Sequence, residues 1–281
     1  MTRKVILSRK GFDSANGGIA SPIMPNPERT LLSLPIPDDE DEKNMFSRIF
    51  FNGNSYSEII SQLKPNLEYS QECHLDPDIF EYVKDRPVGW KACFGQSGVA
   101  LTHLDNNKVK VGDIFLFFGW YKQTVDNNGK IRYARNAPDQ HIIFGYLEVG
   151  RIARGDEVKE FDWHPHSQTH IGFPNAIYVA ADHLLGSEYP GFGTFKFSKD
   201  LVLTKKGLSR SKWELPECLK NVEMTYHDIN SHKEGYFQSA MIGQEFVMGS
   251  SKELEQWILS LVDINRVKIR VINKTDSINS K

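Results

Sequence analysis

The densest group of potentially reactive side chains lies at residues 73–78, where His74, Asp76 and Asp78 occupy every second position. In an extended chain, side chains two residues apart point to the same side, so all three would face one ligand. One imidazole and two carboxylates can hold a divalent metal ion, or act as acid and base around a bound sugar or base. A structural role is the alternative, because Asp76 could turn the chain before Pro77 and Asp78 could lie near a helix N-terminus.

Histidine is concentrated in a second region, which holds four of the nine histidines of the chain: His141, His164, His166 and His170. His164 and His166 could flank a metal ion or form an acid–base pair, although an HxH motif without a third ligand at standard spacing is a poor zinc signature. Asp139 could accept a hydrogen bond from a histidine and so select its tautomer. Loop histidines that pack against Trp163 are the alternative.

Two cations and a carboxylate follow the first predicted strand, at Arg9, Lys10 and Asp13. Arg9 offers a rigid fork of donors and Lys10 a mobile point charge, so the pair could bind a phosphate or the edge of a planar base. Asp13 could orient either cation or act as a base. A cluster of surface salt bridges at the end of a strand would have the same composition.

Two further segments carry polar groups that suit a ligand. A glycine-rich turn could present the amide of Gln96, and His103 follows on the next segment. The most basic stretch, 203–216, interleaves Lys, Arg and Ser, includes Arg210, and suits a nucleic-acid backbone with Trp213 available to stack on a base. A solvated loop that Trp213 anchors in the core is the alternative.

The composition excludes several classes of protein. The 281 residues contain 34 Lys and Arg against 36 Asp and Glu, a net charge of −2, so bulk electrostatics would not coat nucleic acid. The three cysteines form no CxxC pair, which argues against a zinc ribbon or a disulfide framework. No GxSxG, HExxH or phosphate-loop motif is present. Without a signal peptide or an apolar run of about 18 residues, the sequence predicts a cytoplasmic protein.

The elements that must position these groups are mainly strands. Residues 109–152 predict a central pair of long strands, with an apolar, aromatic run and its return joined by a polar insertion that offers a hairpin turn. Other predicted strands are 4–7, 30–35, 177–180, 194–197 and 201–203, and predicted helices are 56–63, 77–83 and 251–262.

Short strands, many Gly and Pro turns and two or three helices predict an α+β fold. We expect a mixed, mainly antiparallel sheet or a partly open barrel, with a few peripheral helices. No internal repeat or long linker interrupts the chain, so the sequence predicts a single domain over 1–272 and a polar tail over 273–281.

The central strand pair, VGDIFLFF returning as IIFGYLEV, resembles that of PUA, ASCH and EVE-type domains, small barrels that open a pocket for a nucleotide base. This local resemblance implies a base-binding wall beside Trp120 and Tyr121.

A second resemblance runs over nearly the whole chain. The segments LSRKGFDSANGGIASPI, CHLDPDI, GWKACFGQSGVALTHL, VGDIFLFFGWY, HIIFGYLEVG, LSRSKWELP and GQEFVM resemble the third of the nucleotide modification associated domain families. That family is named for its genomic company with base modification in bacteria and phages. The resemblance implies a site among Arg9, Lys10, Asp13, His74, Asp76, Asp78, Gln96, His103, Asp139, His141 and Arg210.

Three hypotheses follow, in order of preference. The first is an enzyme, a hydrolase or transferase, that acts on a nucleotide or a base in nucleic acid, with Asp13, Asp76, Asp139 and His141 as catalytic residues. It predicts that Arg9, Asp76 and His141 share one cleft.

The second hypothesis is a non-catalytic reader that places a modified base beside Trp120 and Tyr121, with a basic rim formed partly by residues 205–212. The third is a metal-dependent phosphodiesterase, with a divalent metal as its cofactor and a site built from His74, Asp76, Asp78, His164 and His166. All three imply a nucleotide or nucleic acid as the partner, and none implies a membrane.

Overall fold

The structure, a computed structural model, describes residues 3–39, 44–167 and 173–267. Residues 40–43 of the acidic segment 37–43, which its charges predict to be a solvated loop, His170 and the predicted C-terminal tail lie outside these ranges. The described residues form three α-helices: α1 (Tyr56–Leu63), α2 (Gly98–Asn106) and α3 (Lys252–Asn265).

The strands of the described residues are, in chain order, β1 (Lys4–Arg9), β2 (Ser21–Ile23), β3 (Ile36–Pro37), β4 (Phe50–Phe51), β5 (Asn54–Ser55), β6 (Cys73–His74), β7 (Cys93–Ser97), β8 (Ile114–Asn127), β9 (Lys130–Tyr133), β10 (Gln140–Arg154), β11 (Asn175–Ala180), β12 (Phe192–Thr194), β13 (Lys212–Trp213), β14 (His232–Lys233), β15 (Tyr236–Gln238) and β16 (Glu245–Gly249). Short 3₁₀ turns lie at Phe46–Arg48, Gly155–Phe161, Pro165–Ser167, Lys199–Leu201, Glu217–Leu219 and Ile229–Ser231.

Strand β8 is the centre of the main sheet. Its first half pairs with β10 in antiparallel and with β1 in parallel orientation, and its second half pairs with β2 and β9. The apolar side chains at the start of β8 are buried on both faces of the sheet, as the continuous apolar run predicts. The predicted central strand pair is therefore confirmed. Its hairpin insertion is the β8–β9 turn, where Asn128 and Gly129 both have positive φ, as a type I′ turn requires.

The main sheet continues on both sides of this pair, in the order β16-β1-β8-β10-β11-β7, with β12 at the edge of β10. Three smaller sheets join β13-β15-β14, β3-β6 and β4-β5. Most pairings are antiparallel, and the strands of residues 3–39, 44–167 and 173–267 do not close into a barrel, so the predicted α+β class with a mainly antiparallel sheet is confirmed.

Two helices begin where their caps predict. Ser55 starts α1 with a capping box, in which its hydroxyl accepts from the Glu58 amide and the Glu58 carboxylate accepts from the Ser55 amide. Ser251 caps α3, which buries Leu254, Ile258 and Leu261 on one face.

Three predicted elements are wrong, and each is replaced by pairing with a distant segment. Residues 30–35 bond to several neighbours one residue at a time instead of running along one strand. Residues 77–83 form no helix, because the backbone of Asp78 exchanges two hydrogen bonds with Cys93. Residues 201–203 make one isolated bridge to β10 after a 3₁₀ turn.

Helix α2 was missed by the sequence analysis, which expected a glycine-rich turn at its start. Its apolar side is short, with only Leu101 and Leu104 buried, so the periodic signal is weak. Within the described ranges, no helix combines the length and apolarity needed to span a lipid bilayer.

Candidate functional site

One cavity of about 380 Å³, here called the central pocket, gathers half of the predicted site residues. It lies where the end of β1, the β3–β6 pair, β7 and the 3₁₀ turn Pro165–Ser167 meet. Its wall includes Arg9, Lys10, Gly11, Asp13, Asn16, Ile36, His74, Asp76, Gln96, Ser97, His166, Met241, Gly243 and Gln244.

Three ligating side chains converge in the wall of this pocket. One ligand atom each from His74, Asp76 and His166 lies within 4.8 Å of the other two. The Nε2 atoms of His74 and His166 are 3.0 Å apart, and the two rings meet edge to face. These residues come from β6, the turn after it, and a 3₁₀ turn about ninety positions further along the chain.

Each imidazole is held through its Nδ1 atom by an oxygen acceptor. The Nδ1 atom of His74 lies 3.1 Å from a carboxylate oxygen of Asp38. The Nδ1 atom of His166 lies 2.8 Å from the amide oxygen of Asn175, whose nitrogen donates to the His166 carbonyl oxygen. Both rings therefore carry their proton on Nδ1 and turn Nε2 toward each other.

The carboxylate of Asp76 is fixed from behind the pocket wall. Its Oδ1 atom accepts from the Gly95 amide at 2.8 Å and lies 3.3 Å from Nε2 of His164. Nδ1 of His164 accepts from the His166 amide, which places the His164 proton on the side of Asp76. His164 is fully buried and belongs to the support of the pocket, not to its surface.

The surroundings of Asp76 and His166 lower the pKa of both side chains, by different causes. Burial favours the neutral form of the Asp76 carboxyl, but the hydrogen bond and charge of His164, with smaller effects of His166 and Lys10, lower its pKa to about 2. Burial lowers the pKa of His166 to about 4, against the opposing attraction of Asp76. At neutral pH the wall therefore presents a carboxylate beside a neutral imidazole.

Lys10 and Arg9, the cations of the pocket, are held in place by hydrogen bonds to oxygen atoms of neighbouring segments. Lys10 Nζ lies 2.9 Å from Oε1 of the buried Glu245, which also accepts from Gln96 Nε2 at 2.8 Å. Arg9 donates to the carbonyl oxygens of Ala240 and Met241, in the loop before β16. Glu245 thus holds a cation and an amide in place at the pocket wall.

Asp13 lies at the pocket rim, but its carboxylate accepts hydrogen bonds from backbone amides of its own loop. Its Oδ1 atom accepts from the amides of Ala15 at 2.8 Å and Asn16 at 2.7 Å, an arrangement that closes a turn. The role of Asp13 as a base stays a prediction.

Asp78, His141 and His103 are among the predicted residues that lie apart from the pocket wall. Asp78 is buried against Arg86 and accepts from Trp90 Nε1, so it does not share a side with His74. His141 is buried beside Phe118 and accepts from Trp213 Nε1 at 3.0 Å. The expected cleft is thus lined by Arg9 and Asp76 but not by His141. His103 contacts Thr225 and the ring of Tyr226.

Trp120, Asp139 and Arg210 form a separate surface group, here called the tryptophan platform. The Arg210 guanidinium lies 4.1 Å over the Trp120 ring, and Trp120 Nε1 donates to Asp139 at 2.8 Å. Arg210 also donates to the hydroxyl of Ser14, beside the pocket residue Asp13. Trp213 and Tyr121 are fully buried, so neither is free to stack on a base.

The residues that hold the site together carry little signal in the sequence. Asp38 lies in the acidic segment 37–43, whose charges predict a solvated loop, and Asn175 begins β11 without a motif of its own. Glu245 starts β16. Its sequence signal is that a charged residue stands directly before the apolar run Phe246–Met248. Gly95 has no side chain to mark it.

Comparison with protein families gives one match. A family model described as nucleotide modification associated domain 3 matches residues 4–249, a range that includes every residue of the pocket wall. Searches among curated proteins and among solved structures find no match.

Proposed function

Because the chain belongs to the nucleotide modification associated domain 3 family, we propose that it is an enzyme that acts on a nucleotide, free or within nucleic acid, in the central pocket. One observation carries the proposal: His74, Asp76 and His166 converge in a cavity that Arg9 and Lys10 also line. Such a mixture of reactive and cationic groups in one concave site is typical of an active site.

The groups that line the pocket suit different parts of a nucleotide. Arg9 and Lys10 are the groups that would attract a phosphate. The same lining carries the Asp76 carboxylate and two Nε2 atoms that can accept a proton from water or bind a cation. The volume of about 380 Å³ falls in the range of sites for small molecules, about 300–1,000 Å³. This arrangement supports hydrolysis or group transfer at the bound nucleotide.

The test is a conversion assay with the purified chain. Modified and unmodified mononucleotides and single-stranded DNA are incubated with it, with and without added divalent metal ions, and products are identified by mass spectrometry. We expect His166→Gln and Asp76→Asn to lower kcat/KM by a factor of about 10²–10⁴, the usual contribution of groups at a reacting centre.

His103→Asn is the matched control, since it removes an imidazole that lies outside the pocket. Circular dichroism of each variant establishes that it is folded. Equal conversion by His166→Gln, Asp76→Asn and the unaltered chain would place the reaction elsewhere and reject the proposal.

Binding of nucleic acid without reaction is the second candidate function. The tryptophan platform favours it, because a guanidinium stacked on an indole is a surface on which bases and phosphates of a strand bind. This function needs the platform and not the histidines of the pocket, so the two functions are separable by substitution.

A further inference from the structure

The contact between His74 and His166 poses an electrostatic problem. Each ring turns Nδ1 to an oxygen acceptor, Asp38 in one case and Asn175 in the other. A neutral imidazole that carries its proton on Nδ1 has a lone pair on Nε2. Two such lone pairs, on atoms 3.0 Å apart, repel each other unless a proton or a metal ion lies between them.

We propose that His74, Asp76 and His166 bind one transition-metal ion, of the group Zn²⁺, Fe²⁺ and Mn²⁺, in the wall of the central pocket. The ion would accept the two facing lone pairs and the carboxylate, which removes the repulsion.

The spacing of the two imidazoles agrees with shared ligation. Two nitrogens on one ion, each at about 2.0–2.1 Å, are about 3.0 Å apart at a right angle and about 3.4 Å apart at the tetrahedral angle. The observed Nε2–Nε2 distance of 3.0 Å fits this range. All three ligand atoms lie within 4.8 Å of one another, which brings the Asp76 carboxylate to the two facing nitrogens.

The support behind the three ligands is what a metal site requires. Ligating histidines in proteins donate their second nitrogen to a carboxylate or carbonyl oxygen, which orients the ring and raises its basicity. Asp38 and Asn175 occupy those positions. Gly95 and His164 engage Oδ1 of Asp76, whose side chain is 4 % exposed, so Oδ2 is the oxygen available to the ion.

The donor types decide which ions fit. Two imidazoles with one carboxylate suit Zn²⁺, Fe²⁺ and Mn²⁺, whereas Mg²⁺ and Ca²⁺ prefer sites built of oxygen ligands. Three protein ligands also leave positions for water or a substrate oxygen, as in catalytic and not structural sites. Use of the ion in a reaction rests on the proposed function, but its binding does not.

Ion binding is measured on the full chain without an affinity tag, after removal of metal by a chelator. In calorimetric titrations we expect one Zn²⁺ or Mn²⁺ per chain, and weaker binding of Mg²⁺. His166→Gln and His74→Gln should abolish binding, and Asn175→Leu should weaken it by a factor of about 10–100, the usual effect of losing a supporting hydrogen bond.

The matched control is His103→Gln, which should bind like the unaltered chain because His103 lies outside the pocket. Circular dichroism of the metal-free variants separates loss of ligation from loss of folding. Absence of stoichiometric binding, or binding that His166→Gln and His74→Gln leave unchanged, would overturn this inference. Stoichiometric binding with no conversion of any nucleotide would support the metal site and reject the proposed function alone.

Discussion

At the scale of the residue, His141 shows that a buried imidazole can serve the fold and still determine how the protein responds to pH. Its Nδ1 atom accepts from Trp213 Nε1, and its backbone amide donates to the Thr204 hydroxyl. Burial, with the charges of Arg9 and Arg210, lowers its pKa from 6.5 to about 3. The folded protein therefore holds this ring in the neutral form across the range in which the unfolded chain protonates it.

This shift predicts acid lability. Because the unfolded chain binds the proton first, the contribution of His141 to stability is complete above pH 6.5 and is lost as the pH falls toward 3. The free energy of unfolding should fall by up to about 1.4 kcal/mol per pH unit in that range from this one group. Urea unfolding between pH 4.5 and 7.5 measures the slope.

His141→Gln keeps an oxygen to accept from Trp213 and removes the titrating group. For this variant, the unfolding free energy should depend less steeply on pH. The difference in slope from the unaltered chain should correspond to the uptake of nearly one proton on unfolding. An identical slope would show that the folded protein protonates His141 without penalty.

At the scale of the element, β7 forms one side of the pocket and depends on a glycine to do so. A Cβ atom on Gly95 would lie 2.1 Å from Cδ2 of His166 and 2.8 Å from Cε1 of His164. Gly95 also donates its amide to Asp76. The strand can approach the histidine turn this closely because residue 95 has no side chain.

Gly95→Ala should therefore displace His166 and impair the site. We expect loss of Zn²⁺ binding of at least about 10-fold, the scale on which metal sites respond to disturbed support. Gly249→Ala in β16 is the matched control, since a Cβ there meets no atom within 4 Å. Zinc titration of both variants measures the effect. Equal affinities would show that the pocket wall accommodates the added methyl group without weakening Zn²⁺ binding.

The accuracy of the sequence analysis also differs among elements for physical reasons. Helix α1 and the β8–β10 pair were predicted, because a capping box, an apolar period and a two-residue turn are local signals. The strand at 30–35 and the helix at 77–83 were wrong, because their backbone groups bond to segments far away in sequence. Local patterns carry no information about such partners.

The same limit applies to the site. The hypotheses from the sequence place Arg9 with Asp76, and His74 and Asp76 with His166, and these four residues do line one pocket. Asp78 and His141, expected beside them, lie elsewhere. The alternation of His74, Asp76 and Asp78 predicts an extended strand, yet β6 ends at His74 and Asp78 turns to Arg86. Residues that only support others, such as Asn175, carry no signal in a single sequence.

At the scale of the whole molecule, a net charge of −2 means that any attraction to nucleic acid must come from a local surface. The tryptophan platform is the surface that we propose for this attraction. Arg210 lies over Trp120 and is joined through Ser14 to the loop of Asp13, which lines the pocket. A strand that crosses the platform would thus reach the pocket entrance.

Arg210→Ala should weaken binding of fluorescein-labelled single-stranded DNA by about 1–3 kcal/mol, the usual value of a stacking contact, and should leave mononucleotide binding unchanged. Fluorescence anisotropy at two salt concentrations measures the binding of the DNA and of the mononucleotide. Arg132→Ala is the control, because Arg132 is an exposed arginine of β9. Equal losses for the two variants would indicate charge alone and not the platform.

Strand β8 pairs with four other strands, and this pairing sets how strongly its amides resist hydrogen exchange. Its amides and those of β10 lie in the most extensively bonded part of the sheet, whereas β3, β6 and the turn Pro165–Ser167 are short segments outside that pairing. Cooperative units with fewer bonds exchange their amide hydrogens at lower free energy. We therefore expect the amides of β3, β6 and the turn Pro165–Ser167 to exchange at lower free energy than those of β8 and β10.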